Sequence, residues 1–297
     1  MPPKTAISVA AATPFTSPTL IEKCCLIAQP VAGNPTHFMI EQAFALAGLD
    51  WRFMSFEVDP ERLGDAMRGI RALGFRGVKV AEPHQETVIE YLDDLTDRAR
   101  ICGSVNCVAY DGTRLVGDNT EGAALVELIK EISEVKGRRA MIIGAGRLAR
   151  ALATALVQAG ASSIVVASRS PTAGQRLVEL VQSEKTETTL IEFGAKKPIK
   201  IDPEVTLLVS ATSLSTLNPN APLPMDASAA GSAGIVVDVA YNSPATWLTR
   251  AAMKRGCRTI VGVDLYVRQT ALALATWTGA AVDVAAMHDA AEEFLGL

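Results

Sequence analysis

The sequence is poor in the residues that build metal centres and disulfide frameworks. It has three histidines, His37, His84 and His288, and five cysteines, Cys24, Cys25, Cys102, Cys107 and Cys257, with no C-x-x-C spacing. Scattered in this way they offer no zinc-type ligand set, so no metal is expected. An odd, unpaired set of thiols fits reduced cysteines in a cytoplasmic protein. Long apolar runs are also missing. The segment from Ala6 to Ala12 follows Lys4 and is broken by Pro14, too short for a secretory signal. The stretch from Ala271 to Met287 carries Asp283 and falls short of the roughly 18 apolar residues of a membrane span. Excess positive charge is absent too. Lys plus Arg number 28 against 32 Asp plus Glu, a net charge of −4, so nucleic acid is not an expected partner. What is present is globular: 49% hydrophobic and 20% charged residues. At roughly 150 residues per domain, 297 residues suggest two domains.

Residues 1–20, rich in Ala, Pro, Ser and Thr, read as a poorly ordered tail. From Lys23 the signals alternate. CCLIAQPV reads as a strand, HFMIEQAFALAG as a helix closing on Gly48, and WRFMSFEV as a strand. PERLGDAMRGIRALG reads as a helix, RGVKVAE as a strand, and TVIEYLDDLTDRARICG as one helix. This βαβα order predicts an α/β unit over about the first 120 residues. After a helix over EGAALVELIKEISEV, a second series begins at Ala140. The strands AMIIG, SSIVVAS, TLLVSAT, GIVVDVA and RTIVGV alternate with helices from Arg147 to Gly160 and through AGQRLVELVQ. These strands are continuous Val/Ile/Leu runs, the pattern of a parallel sheet covered on both faces. From Leu265 onward the chain reads as Ala-rich helix.

Gly144-Ala145-Gly146-Arg147-Leu148-Ala149 fits G-x-G-x-x-A between a strand and a helix. Gly144 permits the tight turn, Gly146 lets backbone approach a pyrophosphate, and Ala149 keeps helix and strand close. The helix N-terminus then offers free N–H groups to the phosphates. The next strand ends in Ser168, Arg169 and Ser170, where an NAD site would place an acid for the ribose 2′-hydroxyl. Arg169 between two hydroxyl residues suits a 2′-phosphate instead, so the expected cofactor is NADP.

Several motifs together give the chain a resemblance to the shikimate dehydrogenase family from about residue 27 to 297. They are GNP at 33–35, GSVNC at 103–107, GDNTEG at 117–122 and GAGRLARA at 144–151. VVDVAYNSPATWL at 236–248, GVDLYVRQ at 262–269 and WTG at 277–279 complete the set. The resemblance implies a substrate-binding α/β domain over 21–122 plus 269–297 and an NADP-binding Rossmann domain over 123–268. It also implies C-terminal helices packed back on the first domain and a cleft between the two. By position it assigns Gly144, Ala145, Gly146, Arg147, Leu148, Ser168, Arg169, Ser170, Val239 and Gly262 to the cofactor. Asn106, Tyr241 and Gln269 match groups that bind the substrate's hydroxyls and carboxylate.

Other positions depart from the family pattern. A paired-serine S-x-S-P segment that grips the carboxylate is missing after Gly33-Asn34-Pro35, where the chain runs straight into a helix. The N-V-T-x-P-x-K segment reads Lys79-Val80-Ala81-Glu82-Pro83-His84-Gln85. The proton-transferring lysine is thus Gln85, which can bind a substrate but cannot titrate, and the aspartate of N-T-D is Glu121. Residues two apart share a face of a strand, so Lys79 and Ala81 point together, and the resemblance implies that this face lines the substrate cleft. This makes Lys79 and Glu121 the candidate acid/base pair, with Glu121 also in the substrate pocket. The plainer reading leaves the Lys79 ammonium in water and Glu121 opening a helix. His37 and His84 read as surface-loop histidines, and Cys102 and Cys107 as packed thiols.

The expected function is an NADP-dependent oxidoreductase interconverting 3-dehydroshikimate and shikimate or a closely related cyclic hydroxy acid, acting as a monomer or homodimer. Without the serine grip, weak shikimate activity or none is expected. The alternatives are a non-catalytic NADP(H)-binding protein, suggested by Gln85, and an NAD-linked quinate dehydrogenase, disfavoured by the missing ribose acid.

Overall fold

The computed structural model describes residues 21–194, 197–226 and 234–297. The expected N-terminal tail lies outside them. The first unit runs β1 (Glu22–Ala28), α1 (Thr36–Leu46), β2 (Trp51–Glu57), α2 (Leu63–Leu73), β3 (Gly77–Val80), β4 (Asp94–Leu95), α3 (Asp97–Cys102), β5 (Cys107–Tyr110) and β6 (Leu115–Asp118). Its sheet has the order β2-β1-β3-β5-β6-β4 and is mixed. β1 is parallel to both β2 and β3, while β5 runs antiparallel to β3 and β6.

The single helix expected over TVIEYLDDLTDRARICG is not there. A 3-10 turn at Thr87–Tyr91 gives way at Leu92 to extended backbone, the short β4 pairs with β6, and α3 starts afresh. Local chemistry favours the break. The Asp93 carboxylate accepts from the Leu115 backbone N–H at 2.6 Å and from Arg71 at 2.6 Å, tying the chain to the sheet. Thr96 then caps α3 by accepting from the Ala99 N–H. Strands β5 and β6 sit where the sequence shows only short, motif-rich segments, and they make the sheet mixed rather than purely parallel.

Helix α4 (Glu121–Ile132) leads to the second unit: β7 (Arg139–Ile143), α5 (Arg147–Gln158), β8 (Ser163–Ser168), α6 (Pro171–Val181), β9 (Glu187–Glu192), β10 (Leu207–Ser210), α7 (Leu214–Leu217), β11 (Ile235–Asp238), α8 (Trp247–Met253) and β12 (Arg258–Ile260). All neighbours in its sheet are parallel, in the order β12-β11-β10-β7-β8-β9. The order reverses between β7 and β10, so the crevice beyond their C-terminal ends is the switch point at which such sheets bind ligands. The buried runs of β7, β8, β10 and β11 are the continuous apolar segments of the sequence. β9 escapes sequence reading because it is an edge strand whose residues are exposed or half-buried.

The C-terminal chain forms α9 (Gly262–Thr278) and α10 (Val284–Leu295), separated at Gly279, which ends α9 at φ +67°. The expectation that these helices return to the first unit holds. Trp277 packs on Gly77 of β3 so closely that a Cβ there would lie 2.3 Å from the indole, and its N–H donates to the Val108 carbonyl at 3.0 Å. Met287, Ala290 and Ala291 of α10 join Met39, Ile40 and Phe44 of α1 in one apolar cluster. Burial of such side chains, worth about 1.5–3 kcal/mol each, holds the C-terminal helices on this sheet.

Candidate active site

The antiparallel ladder of β3, β5 and β6 assembles one wall. Lys79 is registered with Cys107, and Cys107 with Asp118. Lys79, Asn106 and the Asn119–Glu121 turn therefore lie side by side. Asn106 is fully buried; its amide donates to Gln269 Oε1 at 2.6 Å and to Thr120 Oγ1 at 3.1 Å, and its Oδ1 accepts from the Thr120 N–H at 2.9 Å. Thr120 Oγ1 in turn donates to the Gln269 carbonyl at 2.9 Å, fastening α9 to the start of α4.

Lys79 is 3% exposed, so the reading that leaves its ammonium in water is wrong. Nζ donates to Gln269 Oε1 at 3.2 Å and lies 5.9 Å from the centre of the Tyr266 ring. Burial pushes its pKa down from 10.5 to about 8, with the Glu121 charge acting against that shift. Glu121 opens α4, as a helix-starting acid would, yet it is buried. Its two carboxylate oxygens accept from one Arg147 nitrogen at 2.9 and 2.8 Å, and Asn119 adds a longer bond at 3.3 Å. Glu121 thus contacts Arg147 directly and touches Lys79 only through the field.

The glycine loop faces this wall. Gly144 takes φ +117°, and a Cβ there would stand 2.5 Å from the Ala211 carbonyl oxygen. Only glycine lets the loop after β7 close on the loop after β10. At Gly146 a Cβ would meet nothing within 4 Å, so that backbone faces open space. Gly262 lets the first turn of α9 rest on the Val239–Ala240 backbone, where a Cβ would be 2.3 Å from a carbonyl carbon.

Two connected clefts follow. One, of about 300 Å³, is lined by Gly144–Gly146, Ser168–Ser170, Phe193 and the loop Ala211–Ser213. Ser168 Oγ accepts from the Ser170 N–H at 3.1 Å and Ser170 caps α6, which shapes the turn that presents Arg169. Arg169 is exposed and makes no ion pair among the described residues. The other cleft, of about 390 Å³, lies between the units. Glu121, Gly146–Leu148, Val239, Tyr241, Gly262, Tyr266 and Gln269 line it. Such a backbone cradle at a helix N-terminus fits the phosphates of a nicotinamide dinucleotide, and Arg169 stands exposed beside it.

Most expected site residues therefore converge, but not all in the expected way. Arg147 keeps its backbone at the N-terminus of α5 beside the glycine loop, yet its side chain turns to the first unit, bonding Glu121 and, through Nε at 3.0 Å, Glu82. Gln85 is buried with no partner for Oε1 and lies outside the cleft lining. His37 is exposed in the first turn of α1, bonded at 3.3 Å to Ser55, rather than in a loop. His84, expected at the surface, is fully buried, and burial lowers its pKa. Cys102 and Cys107 are buried free thiols, as expected.

Sequence reasoning missed Tyr266, whose ring stacks on Tyr241 with centroids 4.7 Å apart and whose hydroxyl donates to Asn34 Oδ1 at 2.9 Å. It also missed Thr212 and Ser213, which line both clefts. Their position at the end of a predicted strand of the parallel sheet, Thr212 its last residue and Ser213 the next, is the signal that could have found them. No described helix is long and apolar enough to cross a membrane.

A substrate-type unit and a doubly wound parallel sheet with a glycine loop, enclosing a polar cleft, define a nicotinamide-dependent oxidoreductase. Residues 26–108 match the shikimate dehydrogenase substrate binding domain, and residues 127–241 match the shikimate/quinate 5-dehydrogenase model. The chain is 34% identical to the shikimate dehydrogenase (NADP(+)) of Moorella thermoacetica over 275 residues, covering 91% of this chain and 92% of that one. Among solved structures, the ligand-free 5-ketofructose reductase of Gluconobacter sp. strain CHM43 superposes with a TM-score of 0.87 at 30% identity, covering 93% and 99% of the two chains. The shikimate 5-dehydrogenase of Thermus thermophilus with NADP(H) and shikimate gives 0.80 at 29% identity, covering 92% and 100%. The chain belongs to the shikimate dehydrogenase family, oxidoreductases that act on CH–OH groups.

Proposed function

We propose that the protein is an NADP(H)-dependent oxidoreductase that interconverts a polyhydroxylated alcohol and its ketone. The reference pair is shikimate and 3-dehydroshikimate, and Lys79 moves the proton. The observation that carries this reading is the buried Lys79 ammonium, bonded to Gln269, beside a cleft that the glycine loop also lines. Bound NADPH supplies the hydride. Gln269 supplies an amide and Tyr241 a phenol for substrate hydroxyls, and Asn106, buried behind them, holds the Gln269 amide in place. A substrate oxygen held at Gln269 stands next to Nζ, and a lysine with a pKa of about 8 gives or takes a proton near neutrality. Glu121 supports the ammonium through its field while Arg147 fixes its position. Arg169, with Ser168 and Ser170, receives the 2′-phosphate, which favours NADP over NAD.

Substrates of the relatives span two chemistries, a cyclic hydroxy acid and a keto sugar. A non-catalytic role fits less well, because a pocket without chemistry has no need of a buried lysine in a polar network. The test is calorimetric titration with NADP+ and NAD+, followed by NADPH oxidation with a panel of polyhydroxy ketones. Tight NADP+ binding with turnover of at least one ketone is expected. Absence of NADP+ binding, or a tenfold preference for NAD+, overturns the reading.

A further inference from the structure

Within the oxidoreductase reading, on which this inference rests, the cleft also discriminates by charge. Arg147 is the one cation lining it among the described residues, and two carboxylates, Glu121 and Glu82, already hold its guanidinium. Lys79 stands behind Gln269 and Tyr266 and is the proton-transfer group. A carboxylate in the cleft would therefore meet the Glu121 charge, while the one cation nearby without a carboxylate partner among the described residues, Lys79, is buried behind the lining and serves the reacting oxygen, an arrangement that disfavours binding.

The Asn34–Thr36 segment bonded to Tyr266 gives an anion no better partner. The hydroxyls of Thr36 and Tyr266 lie 2.8 Å apart and bond each other, Tyr266 also donates to Asn34 Oδ1, and the Thr36 N–H donates to that same oxygen at 3.0 Å. What remains on the wall is neutral: the amide of Gln269, the phenol of Tyr241 and the hydroxyls of Thr212, Ser213 and Thr216, with Asn106 and Thr120 buried behind Gln269. Uncharged amides and hydroxyls exchange hydrogen bonds with substrate hydroxyls one for one, whereas a buried carboxylate requires charged or multiple donors. We infer that the substrate is an uncharged polyhydroxy ketone, a keto sugar or keto cyclitol, and that the Glu121–Arg147 pair excludes ring acids.

The experiment measures kcat/KM for NADPH oxidation with 5-ketofructose and myo-inosose as uncharged probes and 3-dehydroshikimate as the charged one. At least one uncharged probe is expected to exceed 3-dehydroshikimate by about tenfold or more. Glu121→Gln, which removes the buried negative charge and leaves Arg147 held by Glu82 alone, is expected to raise the charged-to-uncharged ratio at least tenfold, whatever it does to absolute rates. A higher value for 3-dehydroshikimate, equal values, or an unchanged ratio in the variant overturns the inference. If no probe turns over, the catalytic reading falls separately, and calorimetry on the NADP+ complex with myo-inositol and shikimate still decides the charge preference. Tighter shikimate binding, or binding of neither, overturns it.

Discussion

Arg147, the first residue of the helix after the glycine loop, holds both carboxylate oxygens of Glu121 through a single nitrogen, at 2.9 and 2.8 Å. The contact joins the glycine loop of one unit to the start of α4 at the wall of the other. The Glu121 side chain is 5% exposed and that of Arg147 16%, so water does little to screen the pair. Arg147→Ala leaves a buried carboxylate without its counter-charge. A loss toward the lower end of roughly 3–5 kcal/mol is expected in urea unfolding. A change within about 0.5 kcal/mol, as at an ordinary surface site, would show that the pair does not hold the units together.

Lys79→Met keeps the length and apolar stem of the side chain while removing its proton. Turnover is expected to fall about 10² to 10⁴-fold, with NADP+ affinity nearly unchanged because the lysine lies away from the phosphate-facing loop. Undiminished kcat would remove Lys79 from the chemistry. An equal loss of cofactor binding would point to structural damage instead.

The depressed pKa of Lys79 fixes the sign of two pH effects. Ketone reduction needs the protonated lysine, so its rate is expected to fall as pH rises through about 8, while alcohol oxidation rises over the same range. Stability moves with pH as well. Below about pH 8 the ammonium is charged in folded and unfolded chains alike, and the fold bears the cost of burying it. Between about 8 and 10.5 the folded protein loses the proton first, so the contribution of this group to stability increases across that window. At about 1.4 kcal/mol per unit the full gain is about 3 kcal/mol. Urea unfolding at pH 7 and at pH 10 captures most of it, about 2.5 kcal/mol, and the Lys79→Met variant should lack it.

Arg169 is exposed, without an ion pair among the described residues and placed just after β8, so its replacement should leave the fold intact. A charge-assisted hydrogen bond is worth about 1.5–3 kcal/mol. Arg169→Ala should therefore weaken NADP+ binding about 10 to 150-fold in calorimetry and leave NAD+ almost untouched. Equal losses for both nucleotides would place the 2′-phosphate elsewhere.

Legibility in the sequence followed burial. The second sheet could be read because β7, β8, β10 and β11 are continuous apolar runs, and its loop because Gly144 and Gly146 stand between a strand and a helix. Residues 87–102 misled, since their spacing of apolar residues is helical while the Asp93 bonds that break the helix reach Leu115 and Arg71, distant in sequence. In the site, the polar trio of Asn106, Tyr241 and Gln269 was visible as types at motif positions. The partner of Glu121 was not. Nothing local distinguishes an arginine that turns to a phosphate from one that turns across a cleft to two carboxylates. Tyr266 was hidden for the same reason, because its partners Asn34 and Thr36 lie more than two hundred residues away.

The two glycines of the loop should fail in different ways when given a methyl group. At Gly144 the backbone has φ +117°, which L residues rarely adopt, and the new Cβ would press on the Ala211 carbonyl at 2.5 Å. Backbone atoms on both sides leave no flexible side chain to yield, so Gly144→Ala should lose about 1–3 kcal/mol of stability and displace the Ala211–Ser213 loop. At Gly146 the backbone is extended, φ −81° and ψ −173°, and a Cβ meets nothing within 4 Å. Gly146→Ala should fold as the parent does, yet its methyl group would occupy the space into which a pyrophosphate must settle. Thermal melts with and without NADP+ separate the two effects. The Gly144 variant is expected to melt lower in the absence of nucleotide, and the Gly146 variant to melt normally but to gain little from NADP+. A Gly146→Ala protein stabilised by NADP+ as strongly as the parent would mean that the dinucleotide does not approach this turn.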